Sequence, residues 1–329
     1  MTASTKLIIS FFLFFCIIGF TAQSQSYFYN GQFYANPVTF EGGLSGGIIN
    51  SLTDIGGRRG NGKSGPKDLN MNVSTACIGA YIAAMYNGWV GLRIEGTSGY
   101  LHSHDSLLSA VKQTAIGRYN RNLSFMTPIR EVSLLLEFHP VDLFRNFDPD
   151  AAPPAFSPYL IGGVGYFHFN PQANLNGQWI ALRPLHTEGE GFTEYPDSKE
   201  YSLNQTNFSY GLGVSYQVGD RFNLRLEYIT RNLHTDYLDD VHGKYIDPAV
   251  FSKYLTGNQL TDALLLYKRI RPGAKPEDTT QGIGSIRGNP TNNDSYFTVV
   301  FKVGYIFGRQ SVNSGNKKYE RSMRSPTRF

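Results

Sequence analysis

Residues 208–231 read FSYGLGVSYQVGDRFNLRLEYITR, and their spacing decides the fold. Phe208, Tyr210, Leu212, Val214, Tyr216 and Val218 fall on one side of an extended chain. Ser209, Gly211, Gly213, Ser215 and Gln217 fall on the other. Gly219-Asp220 makes a short turn, after which Phe222, Leu224, Leu226 and Tyr228 oppose Arg221, Asn223, Arg225 and Glu227. A side-chain period of two is the signature of a strand. Two such runs joined by two turn-forming residues make an antiparallel hairpin.

The same alternation occurs over 38–50, 71–86, 88–99, 129–138, 158–169 and 295–307, which with 206–218 and 221–231 predicts eight strands. Their connections alternate in length. Asn87-Gly88 and Gly219-Asp220 are tight, and 139–157 is moderate and Pro-containing. The connections 51–70, 100–128, 170–205 and 232–294 are long and polar. Soluble strands average about 5–6 residues, whereas about 9–11 tilted residues cross a bilayer core. The apolar faces are heavy in Tyr and Phe near strand ends, as an aromatic girdle requires. The opposite faces carry Arg93, Glu95, Glu131, Glu137, Arg225, Glu227 and Lys302 in mid-strand. A cation on a lipid face at the midplane costs about 2–4 kcal/mol, so these charges are expected to point inward as a salt-bridged lumen network. A soluble sandwich or lipocalin-like barrel fits less well. The reading is all-β: an eight-stranded antiparallel transmembrane β-barrel over 38–308, with short periplasmic turns and long extracellular loops. An interior of this size is just wide enough to be filled by side chains, so a porin channel or transport path is not expected. The lumen mouth is read as charged.

Composition agrees. The chain holds 23 Phe, 21 Tyr and 35 Gly, a mix that favours strands and turns over helices. Residues 1–24 read as a signal peptide, with Lys6, an apolar run Leu7–Phe20 and small residues at Ala22 and Ser24. The run is too short for a membrane anchor, and Phe14-Phe15 before Cys16 exclude a lipobox. Residues 25–37 then form an N-terminal periplasmic segment. Cys77 is left as the one cysteine after cleavage, so no intrachain disulfide forms. A net charge of +4 is too mild to argue for nucleic acid.

Other motifs are weighed on chemistry. Residues 57–64, GRRGNGKS, match the phosphate-loop pattern, but Gly65-Pro66 follows where a helix must open. No nucleotide is therefore expected, and the stretch reads as a basic, glycine-rich turn. His102-Ser103-His104-Asp105 reads as a solvated loop with its histidines directed apart, not a metal site. Asp236, Asp239, Asp240 and Asp247 cluster with His234 and His242, an oxygen-rich set, but the spacing is not that of an EF-hand loop. Calcium there stays open, with no metal or cofactor assigned. A hydrolase would need a Ser or Asp within hydrogen-bond reach of a His near the outer rim. The tail 309–329 carries Arg309, Lys317, Lys318, Arg321, Arg324 and Arg328 against Glu320 alone. It reads as a disordered basic periplasmic arm able to dock on an acidic partner or anionic lipid, or as an idle terminus.

LLEFHPVDLF (134–143), SPYLIGGVGYFHFNPQA (157–173), GQWIALRPLHTEGEGF (177–192), the run 210–247 with TDYLDDV at 235–241, and YFTVVFKVGYIFG (296–308) resemble the PorG-like outer-membrane proteins of the type IX secretion system. The resemblance departs at His242, where a small residue is expected, and leaves out 251–292. It implies a non-enzymatic barrel in the protein-secretion and gliding apparatus, tying a periplasmic ring of lipoprotein and partner subunits to the outer membrane. Within TDYLDDV, Asp236, Tyr237, Asp239 and Asp240 are candidate loop-ordering residues, the acids accepting from nearby backbone or from Arg231. The alternative is a stand-alone small barrel binding lipid or a small apolar ligand, which would need an apolar mouth.

Overall fold

The computed structural model describes residues 37–56, 71–111, 115–145, 156–218, 221–275, 278–279 and 281–307. The leader 1–24, nearly all of 25–37, the GRRGNGKS stretch, Gly219-Asp220 and the basic tail 309–329 lie outside the described residues.

Eight strands close on themselves: β1 (Val38–Leu52), β2 (Thr75–Tyr86), β3 (Val90–His104), β4 (Ser124–Phe138), β5 (Phe156–Phe169), β8 (Asn204–Val218), β9 (Phe222–Leu233) and β10 (Ser295–Phe307). Each pairs antiparallel with its neighbours in the ring, and β10 pairs with β1 to complete it. Closure leaves the ring no free edge, as a β-structure in lipid requires. A short hairpin, β6 (Gln172–Leu175) and β7 (Gln178–Ala181), leans on the end of β4 outside the ring. Among the described residues no helix is long and apolar enough to cross a membrane.

The period-two pattern sorts side chains as the sequence implies. Leu44, Ile78, Ile82, Ile94, Leu136, Leu160, Leu212, Leu226 and Val303 are exposed on the outward face. Phe40, Tyr86, Phe156, Tyr216, Phe222 and Phe307 ring its short-turn end. Tight connections lie at that end: 87–89 joins β2 to β3 and 219–221 joins β8 to β9. In the first, Asn87 (φ 50°) and Gly88 (φ 77°) take the left-handed geometry of a tight hairpin.

Strand ends differ from expectation mostly at the long-loop end. The β3–β4 ladder continues to Ser103↔Phe125 and His104↔Ser124, so the ribbon projects past the apolar band. At 71–86 the first three residues form a 3₁₀ turn and the strand starts at Thr75. The 139–157 connection opens with a helix at Pro140–Arg145. The HSHD stretch is strand rather than loop up to His104. Residues two apart on a strand share a face, so the His102 and His104 rings lie together, 5.5 Å between centroids.

The long connections are not plain loops. The described residues of 170–203 and 234–294 form a lobe with its own apolar core: Leu182, Leu185, Phe192, Ile246, Phe251, Ala263 and Leu266 are buried there. Helices Phe251–Tyr254 and Gly257–Leu266, from the segment outside the family resemblance, supply part of it. Phe192 stacks on Tyr254 at 4.1 Å. Burial of this kind is set by packing between distant segments, which local periodicity does not report.

Candidate functional site

The lumen is built in two layers. The first is ionic. Arg93 reaches Glu95 (3.1 Å), Glu137 (2.8 Å) and Glu227 (2.6 Å). Lys302 bridges Glu95 (2.5 Å) and Glu227 (2.9 Å). Arg225 joins Glu41 (2.6 Å) to Glu137 (2.7 Å), and Arg231 pairs with Glu131 (2.7 Å). The structure thus brings together the seven charges singled out in mid-strand, and adds two. Glu41 sits in a Gly-rich run whose alternation is weak to the eye. Arg231 does not serve the TDYLDD acids as expected, because an odd-numbered position on β9 faces inward, toward Glu131.

The network holds four cations against five carboxylates. Neutral donors meet the excess charge. Tyr81 donates to Glu41 (2.5 Å) and Tyr159 to Glu227 (2.5 Å). Asn223 donates to Glu41 (3.0 Å) and Asn207 to Glu131 (2.8 Å). The Arg225 guanidinium also lies 5.5 Å from the Tyr81 and Tyr159 ring centres. Buried charges persist only when paired and hydrogen-bonded, and each of the four cations has a carboxylate within 2.7 Å.

The second layer, toward the long loops, is apolar. Ile49, Leu101, Phe125, Ile129, Phe167, Phe169, Leu233 and Val300 point inward from the strands. Ile55, Leu123, Tyr201, Leu238 and Val241 enter from the loops and complete the cluster. The mouth expected to be charged is therefore oily beneath its cap, and it is filled by the chain itself.

Over it sits a cap in which TDYLDD is central. Leu238 is fully buried, its carbonyl accepting from Thr127 (2.8 Å) and its N–H donating to Asp294 (2.9 Å). Asp239 accepts from the Ile55 N–H (2.8 Å), tying in the β1–β2 connection. Asp240 takes the Thr187 and Tyr201 hydroxyls (2.6 and 2.7 Å), tying in the β5–β8 connection. Its φ of 63° is the left-handed geometry that Asp tolerates better than most residues. Asp236 pairs with His242 (2.8 Å), and Tyr237 stacks on Tyr201 at 4.5 Å. The cation expected from Arg231 comes instead from Arg287, which holds Glu188 (2.8 Å) and the Asp240 carbonyl. Arg121 grips Asp105 (2.8 Å) and the Arg287 carbonyl (2.6 Å), adding the β3–β4 connection. Nothing local in the sequence marks Arg121, Arg287 or Glu188, since each acts across a long gap.

The aspartates do not converge on one ion. Asp247 caps the 3₁₀ turn that follows it through Ala249 N–H (2.9 Å), and His234 meets Thr206 (3.0 Å). Among the described residues no group of three or more His, Cys, Asp or Glu is arranged to hold a metal.

Burial dominates the cap's titration. It pushes Asp236 up to about 7 against the bond from His242, with Asp54 and Glu188 adding repulsion. It pushes Asp240 up to about 6 despite Arg287. Asp239 lies well above the usual carboxylate range through burial and repulsion from Asp54 and Asp236, and Asp294 through burial and repulsion from Asp239, Asp236 and Asp54. Glu190 does so through burial and its neighbours Asp240 and Glu188. His242 is raised because Asp236 holds its proton.

Among the described residues three Ser–His or Asp–His pairs meet the hydrogen-bond reach a hydrolytic dyad needs. At the outer rim these are His104–Ser106 and His242–Asp236. At the short-turn end, His139 Nδ1 lies 3.2 Å from Ser157 Oγ. There the hydroxyl proton goes to Asp142 (2.6 Å) rather than to the ring, and all three residues are buried. Asp236 is likewise buried, beside the Tyr237–His242 contact.

Comparison with known proteins places this geometry. Residues 12–246 match the family described as "Outer membrane protein beta-barrel domain". Among solved structures, the chain is similar to a major outer membrane protein from Thermus thermophilus (12% identity, 83% of this chain and 100% of that one, TM-score 0.33). It is similar also to OprG from Pseudomonas aeruginosa (15% identity, 82% and 95%, TM-score 0.32). A third is Ail, the attachment invasion locus protein of Yersinia pestis (10% identity, 82% and 97%, TM-score 0.33). None of the curated proteins compared with the chain matches it.

Proposed function

The chain belongs to the outer membrane protein β-barrel domain family, and from that premise we propose that it is a non-enzymatic component of the type IX protein secretion and gliding apparatus, anchoring a periplasmic ring to the outer membrane. The observation that carries this reading is the sealed lumen. Ion pairs fill its short-turn half, an apolar cluster fills the rest, and knotted loops cover the mouth. A barrel closed in this way offers surfaces rather than a path, and anchoring is work done by surfaces. The resemblance of the runs 134–143, 157–173, 177–192, 210–247 and 296–308 to the PorG-like proteins is what favours this apparatus. A hydrolase is disfavoured because Ser157 is buried and already donates to Asp142, Asp236 is buried and accepts from His242, and the half-buried His104–Ser106 pair has no carboxylate hydrogen-bonded to its ring among the described residues.

The short-turn end, with the connection 139–157, and the basic residues Arg309, Lys317, Lys318, Arg321, Arg324 and Arg328 are the proposed contacts for ring lipoprotein and partner subunits. Co-purification from membranes with mass spectrometry tests this. The intact chain is expected to retain periplasmic ring subunits, and deletion of 309–329 to reduce them. A chain that isolates alone under mild solubilisation refutes the anchoring role.

A further inference from the structure

The outward face carries one full charge. Across the outward positions of all eight barrel strands there is no Asp, Glu or Lys, and a single Arg, Arg130 on β4. It is exposed and makes no hydrogen bond or ion pair among the described residues.

Its height follows from the register. Moving up from the short-turn end, the outward rows on β3, β4, β5 and β8 are Val90, Phe138, Leu160, Leu212, then Leu92, Leu136, Gly162, Tyr210. Next come Ile94, Leu134, Val164, Phe208, then Gly96, Val132, Tyr166, Thr206. The following row is Ser98, Arg130, His168, Asn204, the first that is wholly polar. From Val90 to Ser98 the chain rises about 27 Å along the strand at ~3.4 Å per residue. With strands tilted about 35–45°, Ser98 and Arg130 stand roughly 21 Å above the short-turn end of the β3–β4 ribbon, close to the ~25 Å height of the apolar band of outer-membrane barrels, while on β5 and β8 the apolar positions start lower, at Phe156 and Val218. Arg130 thus stands where hydrocarbon gives way to headgroups.

We propose that Arg130, flanked by His168 and Ser98, holds the phosphate of a lipid headgroup in the leaflet on the long-loop side. Directly opposed residues on paired strands set their Cβ atoms about 5 Å apart, so Ser98 and His168 stand on either side of Arg130. The guanidinium presents a planar fork suited to phosphate and stays charged at any working pH. His168 Nδ1–H donates to Asn204 Oδ1 (3.0 Å), which fixes the ring, so Nε2 donates to a phosphate oxygen only in the imidazolium form that a bound anion favours. Tyr166, on the row beneath and exposed, flanks the acyl region. With no carboxylate on this face to compete, an anion is the partner the row lacks. The site is continuous with the lipid-facing belt, which selects a lipid phosphate over a soluble one.

Native mass spectrometry of the full chain in detergent, with diphosphoryl lipid A and its phosphate-free form as probes, tests the site. The wild-type chain is expected to retain diphosphoryl lipid A, and Arg130→Gln to retain about tenfold less, as loss of a charge-assisted bidentate contact implies. His168→Gln gives a smaller loss, and Arg130→Lys a partial recovery. An unheated-gel mobility shift reports that each variant is folded. Equal retention by wild type and Arg130→Gln overturns the proposal, as does equal retention of the phosphate-free lipid. Displacement of the adduct by inorganic phosphate would make the site one for soluble anions and overturn the lipid assignment. None of these outcomes depends on the secretion apparatus.

Discussion

Arg225 stays protonated at any pH the chain meets, and it is enclosed by Glu41, Glu137 and two tyrosine rings. Replacing it by Leu leaves buried Glu41 without a cation and Glu137 with Arg93 alone. Breaking a buried pair from one side costs about 3–5 kcal/mol, so Arg225→Leu is expected to lower the urea midpoint of the barrel sharply. The double change with Glu41→Gln should recover part of the loss, and unfolding followed by gel mobility measures both. The cap acids act in the opposite sense. Asp236 at about 7 and Asp240 at about 6 keep protons in the folded state that an unfolded chain releases near pH 4. The native cap therefore binds more protons between about pH 4 and 7, and its stability falls as pH rises across that window. His242, also raised, has the same sign. Amides of 235–241, corrected for intrinsic exchange, are expected to open more often at about pH 8 than at about pH 5.

Strands and lobe differ in how much of them local pattern reveals. In FSYGLGVSYQV and the run 221–231 each residue's side is fixed by its neighbour two places away, so face and the inward Arg225 and Glu227 follow from the letters alone. The lobe obeys contacts over much longer separations. Phe192 meets Phe251 and Tyr254, and Arg287 meets Glu188 across 99 residues. No periodicity links such positions, which is why the connections read as plain loops and the cap's cations escape a local reading. TDYLDD is legible as a loop-ordering element by its density of acceptors, but its donors are not. Arg287→Ala removes the ionic tie between the β5–β8 and β9–β10 connections, leaving the Asp240 hydrogen bonds and the Phe192 contacts. Limited proteolysis is expected to cut within 234–294 several-fold faster, while the unfolding midpoint of the eight strands stays near wild type. A parallel fall in both would mean that lobe and ring unfold as one unit.

At the scale of the molecule, plugging from both layers predicts an electrically silent protein. Reconstituted into planar bilayers, the chain is expected to give no stable conductance steps, and persistent steps would contradict the sealed lumen. The ring itself carries a temporal consequence. Because Phe40 lies beside Phe307 and Leu52 beside Ser295, the first strand can complete its pairing only with the last. Until β10 emerges, β1 and β9 each present an unmatched row of amides and carbonyls, a state that lipid does not tolerate. The polypeptide must therefore be kept from the bilayer, escorted and unclasped, until its final thirteen-residue strand has been delivered.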